Sequence, residues 1–198
     1  MTRRRPVAVI LFTLAATLAG CAHQVRLGDG MSYTQRRDYL ESVGAWEMRG
    51  RIAVDTGESA FQGRFQWLQS GDDLTLIVRS PLGANLLRVA GPPEALIVDA
   101  RGETWKLTSP EQELSEILGW WLPVTSFQRW LLGVPDPHYA AEERLGPDAA
   151  LARLEQRLWQ LEFGSYQLAS GVLIPRRIDL GYDRLEFRVV VDSWLPSP

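Results

Sequence analysis

The side chains able to do chemistry in this chain of 198 residues are few. There is one thiol, Cys21, and two imidazoles, His23 and His138. Cys21 sits directly behind Leu18-Ala19-Gly20, at the end of an apolar run from Val7 to Leu18 that follows Arg3, Arg4 and Arg5. A basic start and a short apolar stretch read as a secretory signal peptide over residues 1–20, too short to span a bilayer stably. His138 lies in the loop Pro135-Asp136-Pro137-His138-Tyr139, where the sequence offers it no partner, so a solvated side chain is expected. Spacings for a metal site, a phosphate-cradling glycine loop or a nucleophile elbow are absent from the sequence. Carboxylates are plentiful but follow no catalytic spacing, although a glycosidase pair stays open at this level. Glu111, Glu113 and Glu116 read as a solvated helix face. The expectation is therefore no enzyme, no catalytic residue, no metal and no cofactor.

The small residues before Cys21 resemble the lipobox of bacterial lipoproteins, in which the cysteine is acylated and becomes the first residue of the mature chain. That resemblance implies a thioether diacylglycerol and an amide-linked acyl group on Cys21. One acyl chain holds marginally, at about 0.8 kcal/mol per buried methylene, and several hold durably. Ala22 follows, where an aspartate would often signal inner-membrane retention, so the outer membrane of a Gram-negative cell, on its periplasmic face, is the expected location. With no second cysteine there is no internal disulfide to brace the fold.

Removing residues 1–20 takes away Arg3, Arg4 and Arg5 and moves the formal net charge from −3 to −6. An acidic chain argues against nucleic acid as a partner. The remaining 178 residues fit one domain with a sizeable core. All eight tryptophans lie between Trp46 and Trp194. Rings of this size read first as core; a roomy apolar cavity is the alternative.

These residues need a scaffold, and the chain spells out a mainly β one. Residues 21–30 read as a lipidated N-terminus and polar tether, and 31–198 as the folded domain. One amphipathic helix is expected over Ser32–Val43. The period then changes to two over 45–54 and 60–69, with further strands at 74–79, 86–90, 95–99 and 104–108 separated by Gly, Pro and Asp turns. Ser109 and Pro110 open a helix that stops at Gly119. A second runs from Pro123 to Leu132, with Phe127, Trp130 and Leu131 on one face. After a loop over 134–147, strands return at 156–163, 165–168, 174–180 and 184–192. The resulting architecture is a single-domain, incomplete antiparallel barrel with a helical cover inserted between two groups of strands.

In order and spacing, the chain resembles the LolB family of outer-membrane lipoproteins. The residues that carry this are Trp46 and Gly50-Arg51-Ile52-Ala53-Val54, then Phe65-x-Trp67-x-Gln69 and Pro81-Leu82-Gly83. They continue with Gly119-Trp120, Leu122-Pro123-Val124, Trp130-Leu131, Gly133 and Pro135, and end with Ile174-Pro175, Arg177, Asp192 and Trp194. Ser80 and Ile174 depart mildly from the family pattern. The resemblance implies an unclosed barrel whose apolar hollow accepts the acyl chains of lipoproteins from the periplasmic carrier LolA and passes them to outer-membrane lipid. No nucleotide-binding motif is present, so transfer would run downhill by differential affinity. A monomer is expected. The rival reading is a structural or adapter lipoprotein with a solid aromatic core.

The expected lining of the hollow is Trp46, Ile52, Phe65, Trp67, Leu76, Trp120 and Trp130, with the sheet face of each left open. Leu82 stands between Pro81 and Gly83, a turn signature, where a leucine either folds back or points outward. In the family the corresponding leucine projects and serves membrane delivery, so the resemblance implies a membrane-targeting tip at Leu82.

Overall fold

The computed structural model describes residues 29–146 and 148–197; the signal peptide, Cys21 and the tether to residue 28 lie outside the described residues. A short helix, α1 (Tyr33–Ser42), comes first. Its start is a capping box: Ser32 Oγ accepts from the Gln35 backbone N–H, and Gln35 Oε1 accepts from that of Ser32. Alternating residues then build β1 (Ala45–Asp55), β2 (Ala60–Ser70), β3 (Asp73–Arg79), β4 (Asn85–Gly91), β5 (Ile97–Ala100) and β6 (Glu103–Lys106). Two helices follow, α2 (Pro110–Leu118) and α3 (Val124–Leu131). The chain returns to strands in β7 (Ala141–Leu145), β8 (Leu151–Gln156), β9 (Trp159–Ala169), β10 (Val172–Tyr182) and β11 (Leu185–Pro196).

All eleven described strands form one sheet in the order β6-β5-β4-β3-β2-β1-β11-β10-β9-β8-β7. The two meanders therefore join where β1 pairs with β11, and the end strands β6 and β7 do not pair with each other, so the described sheet is unclosed. The central strands send alternate residues to one apolar inner face, as in β11, where Leu185, Phe187, Val189 and Val191 are buried between exposed or half-buried neighbours. Gly50 shows how close that packing is. A Cβ there would stand 2.2 Å from the Val190 carbonyl oxygen and 2.6 Å from Phe65 Cε1, because the Phe65 ring covers the bare backbone next to a β-bulge.

Several boundaries differ from the sequence expectation. Residues 134–147 are not all loop, since β7 lies within them. The strand expected over 156–163 is two strands, β8 and β9, split by the two-residue turn Arg157-Leu158. Both turn residues have positive φ, 53° and 65°, as a type I′ turn requires, but neither is the glycine or asparagine that announces one. The expected break at Gly164 is absent, and β9 runs through it. Ser109 precedes α2 as expected but makes no side-chain cap; the Glu113 carboxylate instead accepts from the backbone N–H groups of Thr108 and Ser109, at 2.9 and 2.7 Å.

The described chain begins at Asp29. Its carboxylate accepts from Arg36 Nε at 2.7 Å and from the backbone N–H groups of Met31 and Leu173. The Arg36 hydrogen bonds hold this carboxyl far below the usual carboxylate range against the opposing cost of burial. An ion pair thus ties the entering chain to α1 and to the start of β10.

Candidate functional site

Trp46, Phe65, Trp67 and Trp130 are fully buried in the apolar core, and Ile52, Leu76 and Trp120 pack against it half-buried. The spacing Phe65-x-Trp67-x-Gln69 has a local explanation. All three side chains point inward, and Gln69 Oε1 accepts from Trp67 Nε1 at 2.9 Å, which satisfies the indole in an apolar setting. Trp67 stacks on Trp46 at 6.2 Å and on Phe127 of α3 at 6.4 Å. Phe127 in turn meets Phe187 of β11 at 6.1 Å, and Phe187 meets Trp120 at 4.9 Å and Trp159 at 5.7 Å. Phe127 therefore spans the two wings of the sheet, and α3 occupies the space between them. Two indole N–H groups in this interior, on Trp159 and Trp194, have no acceptor among the described residues.

A polar clamp holds the helices to the C-terminal wing. Gln156, at the end of β8, accepts from Trp130 Nε1 at 2.8 Å and from the Asp136 backbone N–H at 2.9 Å, and donates to the carbonyls of Asp136 and Tyr139. Next to it, Arg157 donates to both carboxylate oxygens of Glu111 in α2, at 2.9 and 2.6 Å, and to Ser126 Oγ in α3 at 3.0 Å. Its guanidinium also lies over the rings of Trp121 and Tyr139, at 4.9 and 4.1 Å. Burial works against the Arg157 charge, but the Glu111 carboxylate outweighs it and the guanidinium pKa is raised. Glu111 is therefore not part of a solvated face.

The one histidine of the described domain does have a neighbour. His138 Nδ1 lies 3.0 Å from Asp136 Oδ1, with its ring 81% exposed. Ser126 Oγ donates to the other oxygen of Asp136 at 2.6 Å, so serine and histidine both address the carboxylate and not each other. A nucleophile relay needs the histidine beside the hydroxyl, which this order lacks. Burial pushes the Asp136 carboxyl up, but hydrogen bonds from Ser126 and His138 outweigh it and hold the pKa below the ordinary value. Among the described residues no group of three or more His, Cys, Asp and Glu side chains could hold a metal.

At one end of the sheet the β3–β4 turn carries Leu82, which is 98% exposed. Its backbone is held: Gly83 N–H donates to the Ser80 carbonyl, Ser80 N–H to the Ala84 carbonyl, and Ala84 N–H to Ser80 Oγ. Gly83 adopts φ 91°, outside the range an L side chain favours, and Leu82 is left with no apolar neighbour to cover it. A groove of about 850 Å³ lies on the other face of the sheet, lined by Gln62, Glu162, Arg177, Asp179 and Arg188 among others. There Arg177 and Arg188 both pair with Asp179, at 2.8 and 2.6 Å, so this groove is charged and unlike the apolar inner face.

The unclosed antiparallel sheet wrapped on helices recurs in solved structures. A crystal structure of a LolA superfamily protein from Nitrosomonas europaea superposes with a TM-score of 0.53 at 9% identity, covering 85% of this chain and 94% of that one. A DUF1329 family protein from Desulfovibrio piger gives 0.52 at 8% identity over 83% of this chain and 90% of that one. The family model of Outer membrane lipoprotein LolB matches residues 44–194. Proteins named outer-membrane lipoprotein LolB from Pseudomonas syringae pv. syringae and from Stutzerimonas stutzeri are 32% and 31% identical. They cover 95% and 92% of this chain, and the matches span the same shares of those proteins. This chain belongs to the LolB family of outer-membrane lipoproteins. No described helix is long and apolar enough to cross a membrane.

Sequence reasoning located the aromatic residues of β1 and β2 and the Leu82 turn. It missed Phe187, Trp159 and the Gln156–Arg157 clamp. The inward alternation of β11 pointed to Phe187; nothing in the sequence pointed to the clamp.

Proposed function

We propose that this protein accepts acylated proteins from a LolA-type periplasmic carrier and inserts them into the outer membrane, without nucleotide hydrolysis. The observation that carries the proposal is the aromatic inner face of an unclosed sheet, covered by a helix that spans its two wings. Acyl chains and the apolar face of α3 compete for the same surface. Burying Phe127, Trp130 and Leu131 is worth roughly 1.5–3 kcal/mol each. At about 0.8 kcal/mol per methylene, a dozen buried methylenes of one acyl chain contribute a similar amount, so cargo with two or three chains displaces that face. Transfer then follows the difference in affinity between carrier, this protein and the bilayer, each of which hides the same chains from water.

Three further assignments complete this reading. Cys21 carries the lipid and keeps the domain, as a monomer, at the outer membrane. Trp46, Ile52, Phe65, Trp67, Leu76, Trp120 and Trp130 contact cargo once α3 moves. The Pro81-Leu82-Gly83 turn meets the lipid surface, where one inserted leucine contributes about 1.5–3 kcal/mol.

The decisive experiment mixes the full chain with lipoprotein-loaded carrier in the absence of nucleotide. Cargo is expected to move to this protein, and cargo that stays on the carrier overturns the reading. Photocrosslinking groups at Phe65 and Trp67 test the site itself, because an adapter with a permanently solid core gives no crosslink to cargo. Leu82→Glu is expected to leave folding and cargo acceptance intact and to slow delivery to membrane; loss of cargo binding would remove Leu82 from the delivery step.

A further inference from the structure

A second leucine is displayed much as Leu82 is. Leu158, in the turn between β8 and β9, is 84% exposed and adopts φ 65°. A branched apolar residue in the left-handed region is strained, and Asn or Gly is the residue such a turn favours. Its neighbour Arg157 turns inward and is anchored to Glu111 and Ser126, so the turn is held firmly with the leucine outside. Nothing in the packing explains an apolar side chain there, since it covers no core residue.

Register places this turn at the same end of the sheet as Leu82. The β8–β9 turn follows the level at which Gln160 pairs with Gly181, Gly181 with Glu186 and Glu186 with Asp55, the last residue of β1. The β3–β4 turn follows the level at which Arg79 pairs with Arg64 and Arg64 with Arg51, in the same half of β1. The two tips thus project from one end of the sheet on opposite wings, six strand spacings apart, or about 29 Å measured along the sheet.

We propose that Leu158 is a second membrane-contacting tip, so that the domain meets the bilayer at one point on each wing. The inference rests on the reading of the chain as membrane-anchored with Leu82 at the lipid surface. Its occupant is the bilayer and not a protein partner for two reasons. Protein interfaces need a contiguous, well-packed patch, whereas a single leucine on a hairpin tip offers only depth, which is what a bilayer accepts. The tether also reaches: Asp29 is held by Leu173 at the far end of β10, about 26 Å along the strand from the level of Gly181, and the eight residues from Cys21 to Asp29 span up to about 28 Å.

The test uses the full acylated chain in vesicles of phosphatidylethanolamine and phosphatidylglycerol. A polarity-sensitive fluorophore is attached through Leu158→Cys, Leu82→Cys or Asp72→Cys, the last in the β2–β3 turn at the opposite end of the sheet. With the Cys21 sulfur held in its lipid thioether, the introduced thiol is the one available for labelling. Brominated acyl chains are expected to quench the probes at positions 158 and 82 and to leave the probe at 72 unaffected. Quenching at 82 without quenching at 158 overturns this proposal and leaves the membrane role of Leu82 standing. Absence of quenching at both overturns this proposal together with the reading of Leu82 at the lipid surface beneath it. Shielding at 158 that appears only when the carrier is added makes the tip a protein contact and also overturns the proposal. As a complement, Leu158→Asn suits the turn better and should fold at least as stably as the parent. It should nevertheless deliver cargo to vesicles about tenfold more slowly, the change expected for losing one inserted leucine; an unchanged delivery rate counts against the proposal.

Discussion

The two wings of the sheet hold the helical cover by different physics. On the N-terminal wing, α3 meets β2 through ring stacking, with Phe127 against Trp67. On the C-terminal wing rings also meet, Phe127 with Phe187 and Trp130 with Trp159, but there the helices are fastened in addition by hydrogen bonds and an ion pair from Gln156 and Arg157. Apolar contacts are non-directional, so an acyl chain can replace a ring with little loss. A buried polar clamp has no such substitute, because each donor or acceptor left unpaired costs about 1–3 kcal/mol. If cargo displaces the cover as proposed, the difference predicts that it parts from the N-terminal wing first and hinges on the C-terminal one.

The largest expected effect comes from the residue that links both wings. Phe127→Ala should destabilise the fold by about 3–5 kcal/mol in denaturant unfolding, the usual range for a buried phenylalanine. It should also admit an apolar dye to the inner face; a small stability change without dye binding would show that the wings do not depend on this ring. Gln156→Ala ranks next. It strands Trp130 Nε1 and the Asp136 N–H together with two carbonyls, and about 2–4 kcal/mol should be lost. Amide exchange should rise in α3 more than in β2, and equal rises on the two wings would erase the contrast between them.

Arg157→Leu removes an ion pair whose carboxylate is about a third exposed, so solvent screening limits the loss to about 1–2 kcal/mol. Its signature should be faster exchange at the start of α2 with the aromatic stack intact, readable in near-ultraviolet dichroism. The smallest effect is acid sensitivity of the clamp. Because the Asp136 carboxyl is held below its ordinary value, its contribution is complete above about pH 4 and is lost as pH falls through the lowered value. Asp136→Asn should flatten that part of the acid unfolding profile. A profile identical to the parent would show that Asp136 contributes nothing to the clamp.

Most of the scaffold was readable because strand period and turn chemistry are local. Phe65, Trp67 and Gln69 recur every second residue and fall on one face whatever the rest of the chain does. Pro81-Leu82-Gly83 describes its own turn, with glycine supplying the positive φ at its end. The β8–β9 turn was unreadable for the opposite reason. Arg157 and Leu158 carry no turn signal, and their backbone is held in the left-handed region by contacts with residues 46 and 31 positions away in sequence.

The sequence by itself determined the two groups of strands, the helices between them and the leucine at the β3–β4 turn. Each depends on residues within a few positions of one another. Only the tertiary structure decided which faces of the two meanders look at each other, that α3 lies between them, and that Glu111 and Arg157 meet. It alone decided that Leu158 shares an end of the sheet with Leu82. Those facts depend on strand register summed across the sheet and on side chains meeting over long separations, which no local pattern encodes.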